Sequence, residues 1–478
     1  RPMRRDLRAA CALLASLLPA VTFAADAGNK KQLYLVTLDV GGTGRVIKPS
    51  SKQNRERITK RASRAKLATE RLRKDRGVKI KHRFDTAVTG FSARMTTAEA
   101  KAMARDSQVV NVRPVRKATY AVAQRVEPGI ERVNATYSGS GNDVGADVAV
   151  IDSGIGPSDV DKFGYKTGEP LTMWNVNPQG KPELNISGGI NCADGTYDDR
   201  WADVSGHGTH VAGIIGARDN EVGTVGVAPG VRLWSVRVFD PGFGNEATVL
   251  CGLDWVISRN TDGNPDNDIE VANMSLQIEG RYNYDEDCGV VLADPFGDPV
   301  QQAICELTGL GVTVVAAAGN GSQNANDWVP AGFNNVITVG AMTDTDGSGW
   351  ANGGNADCPG YTGQRDDTFA AAYSNWGTDV DIVAPGTCVW STDDTASGAG
   401  IVRYTGTSMA APHVTGAVAR YLAANPGTFP TKMRRLVRSS GGMDWDPRTD
   451  PLWSGPSDGD SPNRVLDVTW LMGAPRIK

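Results

Sequence analysis

Apolar and polar positions follow two different patterns along the chain, and the change falls near residue 120. In the first part, short apolar strands and polar helical stretches follow one another in the order strand, helix, strand, strand, helix, strand. The predicted strands are 32–38, two within 78–95, and 109–115, and the predicted helices are 54–76 and 97–106. This order predicts a small α+β domain of the ferredoxin-like type. Residues 116–132 have no sustained period and contain Pro128-Gly129, which predicts a linker.

Beyond residue 144, nearly continuous apolar strands alternate with helical segments. The predicted strands are 147–151, 231–239, 269–276, 312–316 and 336–339, and the predicted helices are 211–217, 247–258, 300–308 and 409–422. Strands without polar alternation are buried on both faces, so this pattern predicts an α/β fold with a mainly parallel sheet between two layers of helices. Active groups in such folds gather at the carboxyl ends of the strands.

The two parts carry opposite charge. Residues 25–120 contain 24 basic and 8 acidic side chains, a net charge of +16, whereas residues 121–478 contain 22 and 45, a net charge of −23. A basic segment often indicates a nucleic-acid partner, but here a strongly acidic segment lies on the same chain. We therefore expect the second part to be the partner of the first, and no nucleic acid to bind.

The N-terminal segment has the layout of a secretory signal peptide. Basic residues within 1–8 precede an apolar run over 9–24, and small residues follow at 24–27. We expect a signal peptide over 1–25, a first domain over 26–120 and a second over 121–478. No later stretch is long and apolar enough to cross a bilayer, so we expect a secreted protein without a membrane anchor.

Cysteine content fits an exported chain. Six cysteines remain after Cys11, an even number that suggests disulfides, although several connectivities are open. Proximity along the chain favours three pairs, namely Cys288 with Cys305, Cys358 with Cys388, and Cys192 with Cys251. None has the close Cys-x-x-Cys spacing of a zinc site.

Three polar side chains stand where elements of the second part begin or end. Asp152 follows an apolar strand, although an aspartate there is often only a turn former. His207 lies between glycines in Gly206-His207-Gly208, and Ser408 lies after a glycine at the start of a helix. A serine needs a neighbouring base to become nucleophilic, and an imidazole needs a carboxylate to hold its tautomer. Together the three residue types indicate nucleophilic catalysis.

With these residues in the order Asp, His, Ser, the chain resembles a subtilisin-type serine protease precursor (subtilase, S8 family). The matching segments are 148–155 (VAVIDSGI), 206–213 (GHGTHVAG), 225–229 (VGVAP), 273–276 (NMSL), 317–320 (AAGN) and 406–413 (GTSMAAPH). The basic first part resembles the inhibitory propeptide of that family, notably in 88–95 (VTGFSARM). The resemblance implies a subtilisin-like three-layer fold and a secreted serine endopeptidase that is made as a self-processing zymogen.

The resemblance also assigns roles to single residues. It makes Asp152 the orienting carboxylate, His207 the general base and then acid, and Ser408 the nucleophile, and Asn320 would donate to the oxyanion. The propeptide would assist folding, block the cleft, and be cut between about Tyr120 and Ala123, with Tyr120 and Ala121 as the processing residues. Tyr120 suggests a site that accepts a large apolar residue before the scissile bond.

A peptide substrate would bind as an added strand between two edges. By resemblance one edge is Gly242-Phe243-Gly244 and the other is Ser275-Leu276-Gln277. In the family, Ser-Leu is usually followed by glycine, so Gln277 places a side chain where there is normally none. Substrate preference is therefore the property that transfers least.

The segment 219–224 resembles the calcium loop of the family, in which carbonyl and amide oxygens suit a hard cation. The matching side-chain ligands are Gln124, Asp161 and Asn220, and the matching backbone carbonyls belong to Arg218, Val222 and Thr224. The resemblance implies a structural Ca²⁺ and no catalytic metal, although an ordinary polar loop is the alternative. The expected partners are protein and peptide substrates and the chain's own propeptide, and we expect a monomer.

Two other functions compete with this interpretation. A metallohydrolase would use His207 and His210 together, but Gly208 and Thr209 fill the gap and no glutamate of a His-Glu-x-x-His motif is there. A catalytically silent, protease-like binding protein would lack at least one catalytic side chain, whereas all four are intact in the sequence. The sequence therefore favours the endopeptidase.

Overall fold

The structure is a computed structural model. It describes residues 31–41, 51–120, 130–133, 135, 144–156, 184–195, 201–219, 224–240, 243–280, 287–294, 297–345, 361, 367–370, 372–392, 401–440 and 465–472.

The N-terminal domain has the predicted order of elements. Its elements are β1 (Gln32–Leu38), α1 (Ser51–Arg76), β2 (Ile80–Phe84), β3 (Gly90–Met95), α2 (Thr97–Met103) and β4 (Val109–Pro114). The strands form an antiparallel sheet in the order β2-β3-β1-β4. Alternate residues of β1 point to opposite faces, so Tyr34 and Val36 lie in the core of this domain while Leu35 joins the core of the next. The sheet is thus buried on both faces.

The segment predicted as a linker contains a strand, so that prediction is wrong over residues 117–120. Strand β5 (Lys117–Tyr120) pairs antiparallel with two short strands of the second domain. No alternation in the sequence marks it, because its hydrogen-bond partners lie more than a hundred residues away and pairing alone defines it.

The second domain is built on a large, mainly parallel sheet. Its strands are β6 (Asp147–Asp152), β7 (Asn185–Asn191), β8 (Arg232–Arg237), β9 (Phe239–Asp240), β10 (Phe243–Asn245), β11 (Val271–Met274), β12 (Leu276–Glu279), β13 (Thr313–Ala317), β14 (Trp328–Val329), β15 (Ile337–Thr343), β16 (Thr368–Phe369), β17 (Ile382–Thr387), β18 (Val389–Thr392) and β19 (Ile401–Tyr404). The large sheet has the order β16-β15-β13-β11-β6-β8-β7, with β17 also on β15, and only β16 is antiparallel. The predicted α/β fold is confirmed.

Helices cover both faces of this sheet. They are α3 (His207–Gly216), α4 (Glu246–Arg259), α5 (Cys288–Val291), α6 (Pro299–Leu310), α7 (Thr407–Ala424), α8 (Pro430–Ser440) and α9 (Val468–Leu471). Val148 and Val150 of β6 face the core formed with α3 and α7, whereas Ala149 and Ile151 face the core formed with α4 and α6. The N-terminal domain docks on the α4 and α6 side, where Phe84 joins the same core.

Two disulfides tie the second domain together. Cys192 bonds Cys251, and Cys288 bonds Cys305, which are two of the favoured pairs. Cys388 is also disulfide-bonded, but Cys358 lies outside the described residues, so that pairing stays a prediction. Over the described ranges, no helix combines the length and apolar character needed to cross a bilayer.

Candidate active site

A carboxylate and an imidazole meet at the carboxyl end of the central strand β6. Asp152 is the last residue of that strand, and His207 is the first residue of α3. His207 Nδ1 lies 2.8 Å from Asp152 Oδ1, and both side chains are buried. A side chain at Gly208 would collide with the carbonyl oxygen of Gly154, so glycine lets the helix start come this close. The geometry is that of an imidazole whose tautomer a carboxylate holds.

Two opposing effects set the pKa of His207. Burial disfavours the imidazolium, but the charge of Asp152 and its hydrogen bond outweigh burial and raise the pKa of His207 above its ordinary value. Asp203 adds to the same effect. The carboxylates therefore make this imidazole a stronger base that remains stable after it accepts a proton.

Asp203 organises the loop before α3 and is not among the residues predicted from the sequence. Its carboxylate accepts hydrogen bonds from the backbone amides of Ser205 and Gly206 at 3.0 Å, from that of Thr209 at 2.8 Å, and from Ser153 Oγ at 2.7 Å. It thereby caps α3 from outside the helix, since the N-cap Gly206 has no side chain. The available signal was a single aspartate three residues before a glycine N-cap.

Ser408 lies at the same edge of the sheet. It is the second residue of α7, whose N-cap Gly406 has a φ of 155°. Ser408 Oγ donates to the carbonyl of Ser275 at 3.3 Å, and Ser275 Oγ donates to the carbonyl of Ser408 at 2.9 Å. Ser275 follows β11, the neighbour of β6 in the sheet, so the serine and Asp152 are at adjacent strand ends. Helix α3 packs on α7 in the same core.

Asn320 points an amide into this edge. Its Oδ1 accepts from the backbone amide of Thr407 at 2.8 Å and from Thr407 Oγ1 at 2.9 Å, which fixes the orientation of the side chain. Its Nδ2 is buried and has no acceptor among the described residues. A buried donor without a partner costs free energy, so its position beside Ser408 suits a negative oxygen that arrives only during a reaction.

The two predicted substrate edges hold strand β5 between them. β5 lies between β10 and β12 in a five-stranded antiparallel sheet of order β14-β12-β5-β10-β9. The register places Ala118 opposite Gly244, Tyr120 opposite Leu276 and Thr119 opposite Gln277. Only the backbone of Phe243 is described, and Gly242 lies outside the described residues. An extended segment of the chain thus occupies the position of an added substrate strand.

The other histidine of the motif is structural. His210 is buried, its Nε2 donates to the carbonyls of Val389 and Val402 at 3.1 Å, and its ring stacks on Tyr404 with centroids 4.5 Å apart. Burial, with the nearby His207, lowers the pKa of His210 to about 3. Burial likewise lowers the pKa of His413 to about 4. Both rings are therefore neutral packing groups.

The predicted calcium and processing residues lie mostly outside the described part. Gln124, Asp161, Asn220, Val222 and Ala121 are not described, whereas Arg218 and Thr224 flank the gap at 220–223. Gly226 N donates to the carbonyl of Ala217 at 2.9 Å, which closes the base of that loop. Within the described residues, no group of three or more His, Cys, Asp or Glu side chains could hold a metal ion.

A parallel sheet with aspartate, histidine and serine at one edge, beside an added peptide strand, defines the class of serine endopeptidases. Residues 143–454 match the family described as "Subtilase family", and residues 33–119 match "Peptidase inhibitor I9". The chain therefore belongs to the subtilase family and carries an inhibitor-type propeptide domain before its subtilisin-like peptidase domain.

Characterised relatives agree with this assignment. Subtilisin E of Bacillus subtilis (strain 168) is 30% identical over 373 residues, which are 77% of this chain and 78% of that protein. Subtilisin of Bacillus pumilus is 32% identical over 325 residues, 66% of this chain and 92% of that protein. Fervidolysin of Fervidobacterium pennivorans, described as a keratinolytic enzyme related to subtilisin, shares the fold with a TM-score of 0.58 at 20% identity. That match covers 93% of this chain and 61% of fervidolysin.

Proposed function

We propose that Asp152, His207 and Ser408 form the catalytic triad of a self-processing, secreted endopeptidase zymogen. Ser408 Oγ attacks the carbonyl carbon of a peptide bond while His207 takes its proton and Asp152 steadies the imidazolium. The carbonyl oxygen becomes an oxyanion, to which Asn320 Nδ2 and the Ser408 amide donate. His207 then protonates the leaving amine, and water releases the acyl group by the reverse sequence of proton transfers.

The observation that carries this proposal is the position of β5. An extended strand ends at Tyr120 opposite Leu276, one residue from Ser275, and Ser275 bonds Ser408. We propose that the propeptide spans 26–120, that it is cut near Tyr120 and Ala121, and that the enzyme comprises 121–478. Residues 1–25 then act as the signal peptide that directs secretion, and the enzyme is a monomer.

Calcium is proposed as a structural ion only. We infer that the ion binds the segment whose two ends the hydrogen bond between Ala217 and Gly226 joins, with oxygens from Arg218, Asn220, Val222 and Thr224 together with Gln124 and Asp161. A chelator is expected to lower the Tm of the wild-type enzyme, and Asn220→Ala to remove most of that response. Equal Tm values with and without chelator in the wild type would contradict the site.

The test of the proposed function is N-terminal sequencing of purified wild-type protein beside Ser408→Ala and the surface control Ser107→Ala. We expect wild type and Ser107→Ala to begin within about residues 121–123, and Ser408→Ala to keep its propeptide attached, because it lacks the nucleophile. Cleavage of Ser408→Ala at the same bond, without another protease present, would contradict self-processing by Ser408.

A further inference from the structure

The side chain of Gln277 reaches from its strand to the turn that carries Asn320. Its Oε1 lies only 2.6 Å from the point where a Cβ on Gly319 would stand, so the side chain reaches from β12 to the turn after β13. Gly319 precedes Asn320 and has a φ of 103°. Oε1 is buried and finds no hydrogen-bond donor among the residues that the structure describes. A buried acceptor without a partner therefore lies against the turn that carries Asn320, the candidate oxyanion donor.

The side chain before the scissile bond must enter this part of the cleft. Its carbonyl has to lie between Ser408 Oγ and Asn320 Nδ2 for attack to occur. Ser408 Oγ donates a hydrogen bond to the carbonyl of Ser275, so the residue that is cleaved must lie opposite Ser275. A substrate strand in the register of β5 then places that residue diagonally across from Gln277. Residues two apart on a strand share a face, and the cleaved residue therefore presents its side chain on the face of Gln277.

We propose that Gln277 is the residue that sets specificity for the side chain before the scissile bond, by filling its pocket and offering one buried acceptor. The preferred substrates are then peptides with a small or hydroxyl-bearing residue there, such as alanine or serine, and large apolar residues are disfavoured. This inference rests on the proposed function, because it takes Ser408 and Asn320 as the reacting groups. It replaces the expectation of a large apolar residue that Tyr120 suggested, and it therefore predicts processing after Ala121 rather than after Tyr120.

The chain's own sequence is compatible with this preference. The segment after β5 reads Ala121-Val122-Ala123, so small residues are available where processing is proposed. The hydroxyl group of a substrate serine also supplies the hydrogen-bond donor that Oε1 lacks. A substrate without a donor would leave this buried acceptor unpaired and is therefore disfavoured.

The experiment compares kcat/KM of the self-processed enzyme on four tetrapeptide p-nitroanilides that end in Ala, Ser, Leu or Phe. We expect wild type to favour Ala and Ser over Phe by about tenfold or more, since single groups in a pocket discriminate by that order. Gln277→Gly should raise kcat/KM for Phe about tenfold and change that for Ala by less than about threefold. Gln277→Met keeps the volume without the acceptor, so it should still exclude Phe but lose the preference for Ser over Ala.

Glu279→Gly is the matched control, because Glu279 lies on the same strand and face but is exposed and pairs with Trp328. It should leave the four-substrate profile unchanged. A wild-type preference for Phe, or identical profiles for wild type and Gln277→Gly, would overturn the role of Gln277 while leaving the protease intact. A wild type that hydrolyses none of the peptides and does not react with a serine-directed phosphonate would overturn the proposed function and this inference together.

Discussion

The propeptide contacts the peptidase domain in two regions that use different chemistry. In the cleft, β5 is held by backbone pairing with β10 and β12. On the helical side, five arginines of the propeptide meet four carboxylates of the peptidase domain. The pairs are Arg55 with Asp268, Arg57 and Arg61 with Glu306, Arg113 and Arg116 with Glu246, and Arg116 with Asp298.

The two contact regions differ in what they can recognise: the cleft accepts substrates, whereas the helical side recognises only the propeptide. Backbone pairing is open to any extended peptide, so the pairing alone does not distinguish the propeptide from a substrate. The arginine pairs exist only for the propeptide, and several of their carboxylates are fully or almost fully buried in the complex, such as Glu246 at 0% and Glu306 at 2% exposure. We therefore expect the helical side to retain the propeptide after the chain is cut, and the cleft contacts to be replaceable by substrate.

The largest expected effect comes from Glu306. Its carboxylate accepts hydrogen bonds from Arg57 at 2.5 Å and from Arg61 at 3.0 Å. The substitution Glu306→Ala would leave both guanidinium groups at the interface without this carboxylate. Breaking a buried ion pair from one side costs about 3–5 kcal/mol, so the cleaved complex should dissociate at least about 100-fold more readily. The measurement is the dissociation constant of the self-cleaved complex, from recovery of peptidase activity on dilution.

Asp266→Ala serves as the control for that measurement, because Asp266 is an exposed carboxylate of the same domain. It should dissociate like wild type. Hydrolysis of a small peptide by the freed Glu306→Ala enzyme should be within about twofold of wild type, since surface effects far from the cleft are small. Equal dissociation of the Glu306 and Asp266 variants would place the inhibitory affinity in the cleft instead.

The sequence predicted most of the fold, and it indicated the residues of the candidate site, because both have local signals. Apolar runs marked the strands of the large sheet, and Asp152, His207, Ser408 and Asn320 lie in segments that end or begin elements. Their roles stay proposals, but the positions of these side chains agree with the predicted edge. The opposite net charges of the two parts also predicted contact between them, and the arginine–carboxylate pairs are the residues that make this contact.

What the sequence could not predict depends on distant partners. The sequence predicts a linker where strand β5 lies, because the pairing partners β10 and β12 are far along the chain. The only sequence signal for Asp203 is its place three residues before a glycine N-cap, since its importance lies in the amides that the folded loop brings to it. The direction of the Gln277 side chain followed only from its contact with Gly319.

A smaller effect is expected from salt. Raising NaCl from about 0.05 M to about 0.5 M shortens the screening length to a few ångströms, which weakens partly exposed pairs such as Arg55 with Asp268 more than buried ones. The cleaved complex should dissociate about tenfold more readily, while KM for a neutral peptide should change by less than about twofold. A dissociation constant that does not change with ionic strength would contradict the role of charge on the helical side.

One group on the helical side opposes docking at high pH. Asp85 of the propeptide lies beside Asp254 of α4, whose carboxylate accepts from the amides of Thr86 at 2.7 Å and Ala87 at 2.6 Å. Burial and then the charge of Asp254 raise the pKa of Asp85 from 3.8 to about 6, although Lys66 and Arg83 act in the opposite direction. Asp85 Oδ1 has no hydrogen-bond partner among the described residues.

The smallest expected effect is therefore a pH-dependent one at Asp85. A carboxyl whose pKa is higher in the complex favours docking when protonated, so its contribution is full below about pH 4 and is lost as the pH rises through about 6. Asp85→Asn should tighten the cleaved complex about fivefold at about pH 8, reduced by solvent screening, and leave it unchanged near pH 4. The measurement is the dissociation constant across that range.

Asp75 is an exposed carboxyl on α1 and serves as the control, so Asp75→Asn should follow wild type at every pH. Equal curves of the dissociation constant for Asp85→Asn and wild type would mean that the repulsion between Asp85 and Asp254 is absent.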